Sequence, residues 1–173
     1  MNFTVVNDEV LYSSDTITRV TRADLELLKE RARKNPRRRV RLCAHPSVED
    51  TLHEMIIVHS KGNYVRPHKH PQKSESFHII EGNLVVTIFD DAGTVTQSLA
   101  IGSGNSLLYY RLSEPAFHTV IPIDDVVVFH ETTNGPFDRD ETVFAPWAPE
   151  EDSKDGEAYL KDLTDRVECE VRV

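Results

Sequence analysis

The sequence predicts an all-β barrel preceded by one helix and followed by an acidic extension. Three observations lead there. Between Arg39 and about Phe144, short runs rich in Val, Ile, Phe and Tyr alternate with Gly, Pro, Asn and Asp, the signature of strands and turns. No helical periodicity interrupts that stretch. Leu25, Leu28 and Ala32 recur at helical spacing upstream of it, and nine Asp or Glu crowd residues 150–170 downstream. Many short strands with turn punctuation make a sandwich, jelly roll or barrel. The expected organisation is an N-terminal strand and helix over 1–36, a barrel over 37–148, and an acidic tail or short helix over 149–173.

Residues 1–20 alternate weakly and predict a short strand, with Phe3, Val5 and Val6 as candidates for burial. The helix is expected from Arg22 to about Lys34. Thr21 can cap it, Asp24 stands three residues later, and Asn35-Pro36 ends it. Strands are then expected at Arg39–Ala44, Thr51–His59, Tyr64–His68, Ser76–Ile80, Leu84–Phe89, Val95–Leu99, Ser106–Tyr110, His118–Pro122 and Val126–Thr132. Asp90-Asp91-Ala92-Gly93 reads as a hairpin turn. A short helix over Glu157–Arg166 is expected to be a solvated surface element.

Charge and composition exclude some classes. The formal net charge is −9, yet seven basic residues fall within residues 31–41, so the remainder carries −16. An acidic body argues against a general nucleic-acid binder, and the basic run lacks the interleaved aromatics that stack bases. No apolar stretch approaches the roughly 20 residues that cross a bilayer. The opening MNFTVVNDEV is acidic where a secretory leader needs basic residues. Cys43 and Cys169 are the only cysteines, which speaks against a disulfide framework and for the cytoplasm.

The strongest chemical statement is GNYVRPHKHPQKSE, residues 62–75. On a strand, His68 and His70 point to one face, and Glu75 can return to that face from the next strand. Imidazoles and a carboxylate form a ligand set for a divalent first-row metal. The glycines framing the run need positive φ or close backbone approach, and Glu81-Gly82-Asn83 reads as the tight turn closing this strand pair.

The full spacing is Gly62, five residues, His68, one residue, His70, four residues, Glu75, six residues, Gly82. It resembles the first motif of cupins at every motif position. The resemblance implies a jelly-roll (double-stranded β-helix) barrel. It also implies a fourth ligand from a second motif, for which His118 in SEPAFHTVIP is the candidate. That second motif departs from the pattern, with Pro115 where glycine is typical and Pro122 where asparagine often occurs. Further stretches widen the likeness: RVRLCAHP from Arg39, HEM from His53, YVRPHKHP from Tyr64, ESFH from Glu75, GPF from Gly135 and FAPWAPE from Phe144. Over residues 37–150 the chain is similar to the WbuC-type cupin-fold metalloproteins, a bacterial group met near O-antigen and surface-polysaccharide genes. This implies one divalent transition metal (Fe, Mn, Zn or Ni) on His68, His70, Glu75 and His118. It also implies a homodimer as an option, with the N-terminal strand available for exchange.

Other residues are candidates for the ligand. Arg66 shares strand parity with Tyr64, His68 and His70, so all four are expected inside the barrel, with Arg66 on a carboxylate or phosphate. Arg39, Arg41, Cys43 and His45 alternate and share a face that would form a cationic wall. His53, His59, His78 and His130 are read as satisfied core or rim histidines, and Tyr109 and Tyr110 as packing aromatics. The functional expectation is an enzyme acting on a small, anionic molecule, in sugar or surface-polysaccharide metabolism. An Fe(II)-dependent oxygenase and a non-catalytic ligand-binding or sensor module are the rivals.

Overall fold

The computed structural model describes residues 1–171, with side chains for all but Arg139 and residues 168–171, which places Cys169 outside the described side chains. In chain order the elements are β1 (Phe3–Val5), β2 (Val10–Ser13), α1 (Arg22–Lys34), β3 (Arg39–Cys43), β4 (Leu52–Ser60), β5 (His68–Lys69), β6 (Glu75–Glu81) and β7 (Asn83–Phe89). There follow β8 (Val95–Gly102), β9 (Tyr109–Leu112), β10 (Phe117–Pro122), β11 (Val126–Asn134), β12 (Val143–Phe144) and α2 (Lys154–Val171). One sheet has the order β1-β2-β3-β4-β11-β6-β9 and the other β12-β5-β10-β7-β8. The eight strands β4 to β11 thus supply four neighbours to each sheet, in the orders 4-11-6-9 and 5-10-7-8. That is a jelly roll, in which the chain keeps crossing between two facing sheets.

Two-residue alternation sorts the side chains into three cores. Between the sheets pack Cys43, Met55, Ile57, Phe77, Leu84, Val86, Val120, Val127 and Phe129, among others. The opposite parity of β3 and β4 presents Val40, Leu42 and Val58 outward, where Leu25, Leu28 and Ala32 of α1 cover them. Thr21 begins α1 with a reciprocal cap: Asp24 N–H donates to Thr21 Oγ1 at 3.3 Å and Thr21 N–H to Asp24 Oδ2 at 2.8 Å. Replacing Thr21 by Ala is expected to cost about 1 kcal/mol. The readout is a lower urea midpoint at unchanged slope.

The acidic C-terminal region differs from expectation. It forms one long helix, and Leu163 and Val167 are fully buried against Val85, Phe89 and Ile121 on the outer face of the second sheet. The apolar stripe of α2, hidden within an acidic composition, makes it a structural layer and not a solvated element. Val5 and Val6 are exposed, whereas Leu11 on β2 is buried, because the N-terminal region folds as two strands and β2 pairs in parallel with β3.

Three local corrections bear on the site. The strand expected at Tyr64–His68 is irregular backbone up to Pro67, and β5 holds only His68 and Lys69. Proline has no N–H for a ladder, and Gly62 at φ +83° turns the chain just before it. The strand expected at Ser106–Tyr110 begins at Tyr109, because Gly102 N–H bonds back to Leu107 O around a turn. Gly82, at φ +79°, does not close a pair: β6 and β7 lie in different sheets, and the glycine makes the corner between them. A Cβ there would stand 2.6 Å from Val126 O, so only glycine fits. Asp90–Gly93 does form a hairpin between β7 and β8, with Asp90 N–H donating to Thr94 O at 3.0 Å.

Candidate metal centre

Both sheets contribute to one inward cluster. His68 on β5 lies directly opposite His118 on β10, His70 follows just beyond β5, and Glu75 opens β6 in the facing sheet. One ring nitrogen from each of His68, His70 and His118 lies within 4.8 Å of the others. Glu75 reaches two of them, with Oε1 2.8 Å from His118 Nε2 and Oε2 3.9 Å from His70 Nε2. His118 is 2% exposed and Glu75 6%.

Hydrogen bonds fix the tautomers. His68 Nδ1 lies 2.9 Å from Arg66 O, and His118 Nδ1 lies 3.0 Å from Ala116 O. A carbonyl only accepts, so Nδ1 carries the proton in each ring and Nε2 offers a lone pair inward. Burial, and then the neighbouring His118, push His68 down to about 3, which keeps it in the neutral, ligand form. Burial likewise lowers His70. For His118 burial acts downward, but the Glu75 carboxylate outweighs it and the net shift is upward. The reverse holds for Glu75, which His118 pulls below its ordinary value against its burial.

These donors fit a cation. Glu75 Oε1 is buried and close to His118 Nε2, yet makes no hydrogen bond of proper geometry. A carboxylate oxygen facing an imidazole lone pair needs a positive centre between them, either a proton or a metal ion. Three imidazoles and a carboxylate at such separations suit a first-row divalent ion.

The sequence-derived ligand candidates divide. His68, His70, Glu75 and His118 come together. Tyr64 and Arg66 do not face the barrel: Val65 packs into the inter-sheet core, which turns its neighbours outward. Tyr64 Oη donates to Pro149 O at 2.9 Å, and Arg66 donates from Nη2 to Ala145 O at 3.2 Å while lying over the Phe144 ring. The parity argument failed because residues 64–67 are not a strand. Arg39 is held at the rim by Glu9 and Glu151, at 2.9 and 3.1 Å. His45 stacks on His53 at 4.0 Å and bonds through Nδ1 to the Glu54 backbone, which gives it a place in a separate ring pair.

Arg41 is different. It shares the inward parity of Cys43, is exposed, and forms no ion pair among the described residues. Its charge is felt at His59 and Glu131. Glu131 escaped the sequence reading, although its position two residues after Phe129 in VVVFHE places an acid on the inward face. Burial and the Glu75 charge raise its carboxyl to about 8. Tyr110 is equally inward, and its buried hydroxyl has no partner among the described residues. Cys43 is unlike an activated nucleophile, because burial raises its thiol.

His59 is buried but not satisfied, since its Nδ1 has no partner among the described residues. Burial, then Arg41, lower it from 6.5 to about 3. The unfolded chain therefore takes up this proton first, and stability falls as pH drops from 6.5 towards 3. Between pH 7 and pH 5 the loss for this one group is about 2 kcal/mol. His59→Leu is expected to remove that share. Equal urea-midpoint shifts between these two pH values in wild type and variant would refute it.

Strand order and the inward histidines define the class: an all-β jelly roll with a cluster able to hold a metal ion. A family model described as a domain of unknown function (DUF6016) matches residues 20–101, which include His68, His70 and Glu75 but not His118. No curated protein matches the chain. Among solved structures, oxalate oxidase in complex with the substrate analogue glycolate is 17% identical at a TM-score of 0.44, covering 56% of this chain and 47% of that one. The Schizosaccharomyces pombe Cnp3 cupin domain is 13% identical at 0.44, covering 56% and 64%. The Lactobacillus farciminis oxalate decarboxylase formate complex is 21% identical at 0.44, covering 56% and 28%. The chain thus spans less than two thirds of each.

Proposed function

We propose that this protein is a metal-dependent enzyme acting on a small anionic molecule inside the barrel. The observation that carries the reading is the convergence of His68, His70, His118 and buried Glu75, with two inward Nε2 lone pairs and an unbonded carboxylate oxygen. These four residues would hold the ion. When bound, a divalent ion supplies Lewis acidity to a substrate oxygen. The residues around it would do the rest. Arg41, exposed and without an ion pair among the described residues, attracts the anionic end of the ligand, and Tyr110 Oη and Glu131 offer hydrogen bonds to it. The apolar walls of Phe77, Met55 and Ile57 exclude water and so strengthen those contacts.

Within this class, sugar or surface-polysaccharide chemistry in the cytoplasm comes first, supported by the resemblance over residues 37–150. No helix among the described residues is long and apolar enough to cross a membrane. An all-N/O donor set also suits Fe(II), so an oxygenase is the second reading. Metal analysis of protein purified without supplementation, followed by oxygen uptake with hydroxy acids and sugar phosphates, separates the two. Arg41→Ala is expected to weaken binding of the anionic ligand by about 10-fold or more, the worth of one charge-assisted hydrogen bond. Full affinity in that variant would remove Arg41 from the site, and binding without turnover of any kind would favour a sensor over an enzyme.

A further inference from the structure

The basic run left unexplained by the sequence meets the acidic C-terminal region in one clasp. Arg37 and Arg39, at the start of β3, converge on Glu9 from the N-terminal hairpin and on Glu151 just before α2. Glu9 and Glu151 each face both guanidinium groups, and Asp152 adds a third carboxylate 4.0 Å from Arg37, so the arginines are fully countered. The Glu151 side chain is 18% exposed and that of Arg39 19%, which shields their attraction from solvent. Glu151 does more than pair with arginines. Its Oε1 accepts the backbone N–H of Arg66 at 2.9 Å.

That contact is one step from the cluster. The carbonyl of the same Arg66 accepts the Nδ1 proton of His68 at 2.9 Å, the bond that turns His68 Nε2 inward. Residues 64–67 have no ladder of their own, so isolated hydrogen bonds hold their backbone. Val65 O accepts from Thr119 Oγ1 at 2.6 Å, Pro67 O accepts from Ala145 N–H at 2.8 Å, and among the described residues Arg66 N–H donates to Glu151. Arg66 precedes a proline and is therefore confined to extended conformations, so fixing its N–H also fixes where its carbonyl points.

We propose that Glu151 is a positioning residue for the metal centre, acting through the Arg66 backbone to orient the His68 imidazole, with Arg37 and Arg39 holding Glu151 in place. The inference rests on the reading that His68 is a metal ligand. It also gives the basic run and the segment before α2 a common role: together they clamp the least regular ligand-bearing stretch of the barrel from outside.

The test is calorimetric titration of the full chain with Co2+, using wild type, Glu151→Ala, Glu151→Gln, His68→Ala and the Glu151→Ala/His68→Ala double variant. Outer contacts of this kind are worth about 10–100-fold in metal affinity, and Glu151→Ala is expected to lose that much. Glu151→Gln keeps an oxygen for the Arg66 N–H and is expected to lose less. Once His68 is gone, Glu151→Ala should cost nothing further, a result that general loosening of the fold would not give. The proposal is overturned if Glu151→Ala binds Co2+ like wild type, or if it loses as much without His68 as with it. Should Glu151→Ala fail to fold, the same cycle run with Glu151→Gln decides the matter by the same criterion. Absence of Co2+ binding in wild type would sink the metal reading itself, a distinguishable failure.

Discussion

Protein carrying His68→Ala and His70→Ala together is expected to lose its metal, with affinity falling by well over 100-fold. Removal of a mere supporting contact already costs about 10–100-fold, and this change deletes two of four donors at once. What remains, His118 and Glu75, lies 2.8 Å apart and collapses into an ordinary ion pair. A bound ion also stabilises the fold by mass action, about 2.7 kcal/mol when present at 100 times its Kd. The variant should therefore melt where chelator-treated wild type melts, and added metal should raise only the wild-type Tm. Metal content is read on protein purified in parallel with a His45→Ala/His53→Ala control. That control removes two histidines from a stacked pair elsewhere in the fold and should keep its metal. Equal metal in all three proteins would dismiss the centre.

The second large effect concerns Phe129. It is 1% exposed, and its ring meets Phe77 at 5.1 Å and His59 at 5.2 Å between the two sheets. Phe129→Ala removes that packing and leaves a cavity between two sheets that cannot close independently. The expected cost is about 3–5 kcal/mol, a large share of the 5–15 kcal/mol typical of a folded domain. For a chain of this size that means a Tm lower by roughly 10 °C. Metal affinity at low temperature should change little, because no ligand bonds to Phe129. A loss below 1 kcal/mol would mean that the sheets close over the gap.

How much of this was legible beforehand follows from the range of each signal. The helix over 22–34 is written in Thr21, Asp24 and the spacing of Leu25, Leu28 and Ala32, all within one element. The alternation in LHEMIIVHS and VVVFHETTN marks β4 and β11 for the same reason: a strand with one face in each of two cores advertises its parity locally. His68, His70 and Glu75 sit within eight residues, so their chemistry could be recognised as a unit. Tyr64 and Arg66 were misplaced because their facing depended on Val65 entering the core, and nothing in YVRP states that. The closing stretch looked solvated by composition, while its few apolar positions were enough to bury one face of α2.

Sequence alone determined most of the elements, their period and the candidate donor groups, because propensity, capping and alternation act between near neighbours. Tertiary structure decided which inward groups meet. His118 stands opposite His68 only because β10 and β5 pair across 50 residues of chain. Arg39 and Arg41 share a strand face, yet Glu9 and Glu151 pair with the first, while the second has no ion pair among the described residues. Charge pairing over such separations depends on where the barrel closes, and closure is a property of the whole hydrogen-bonded sheet.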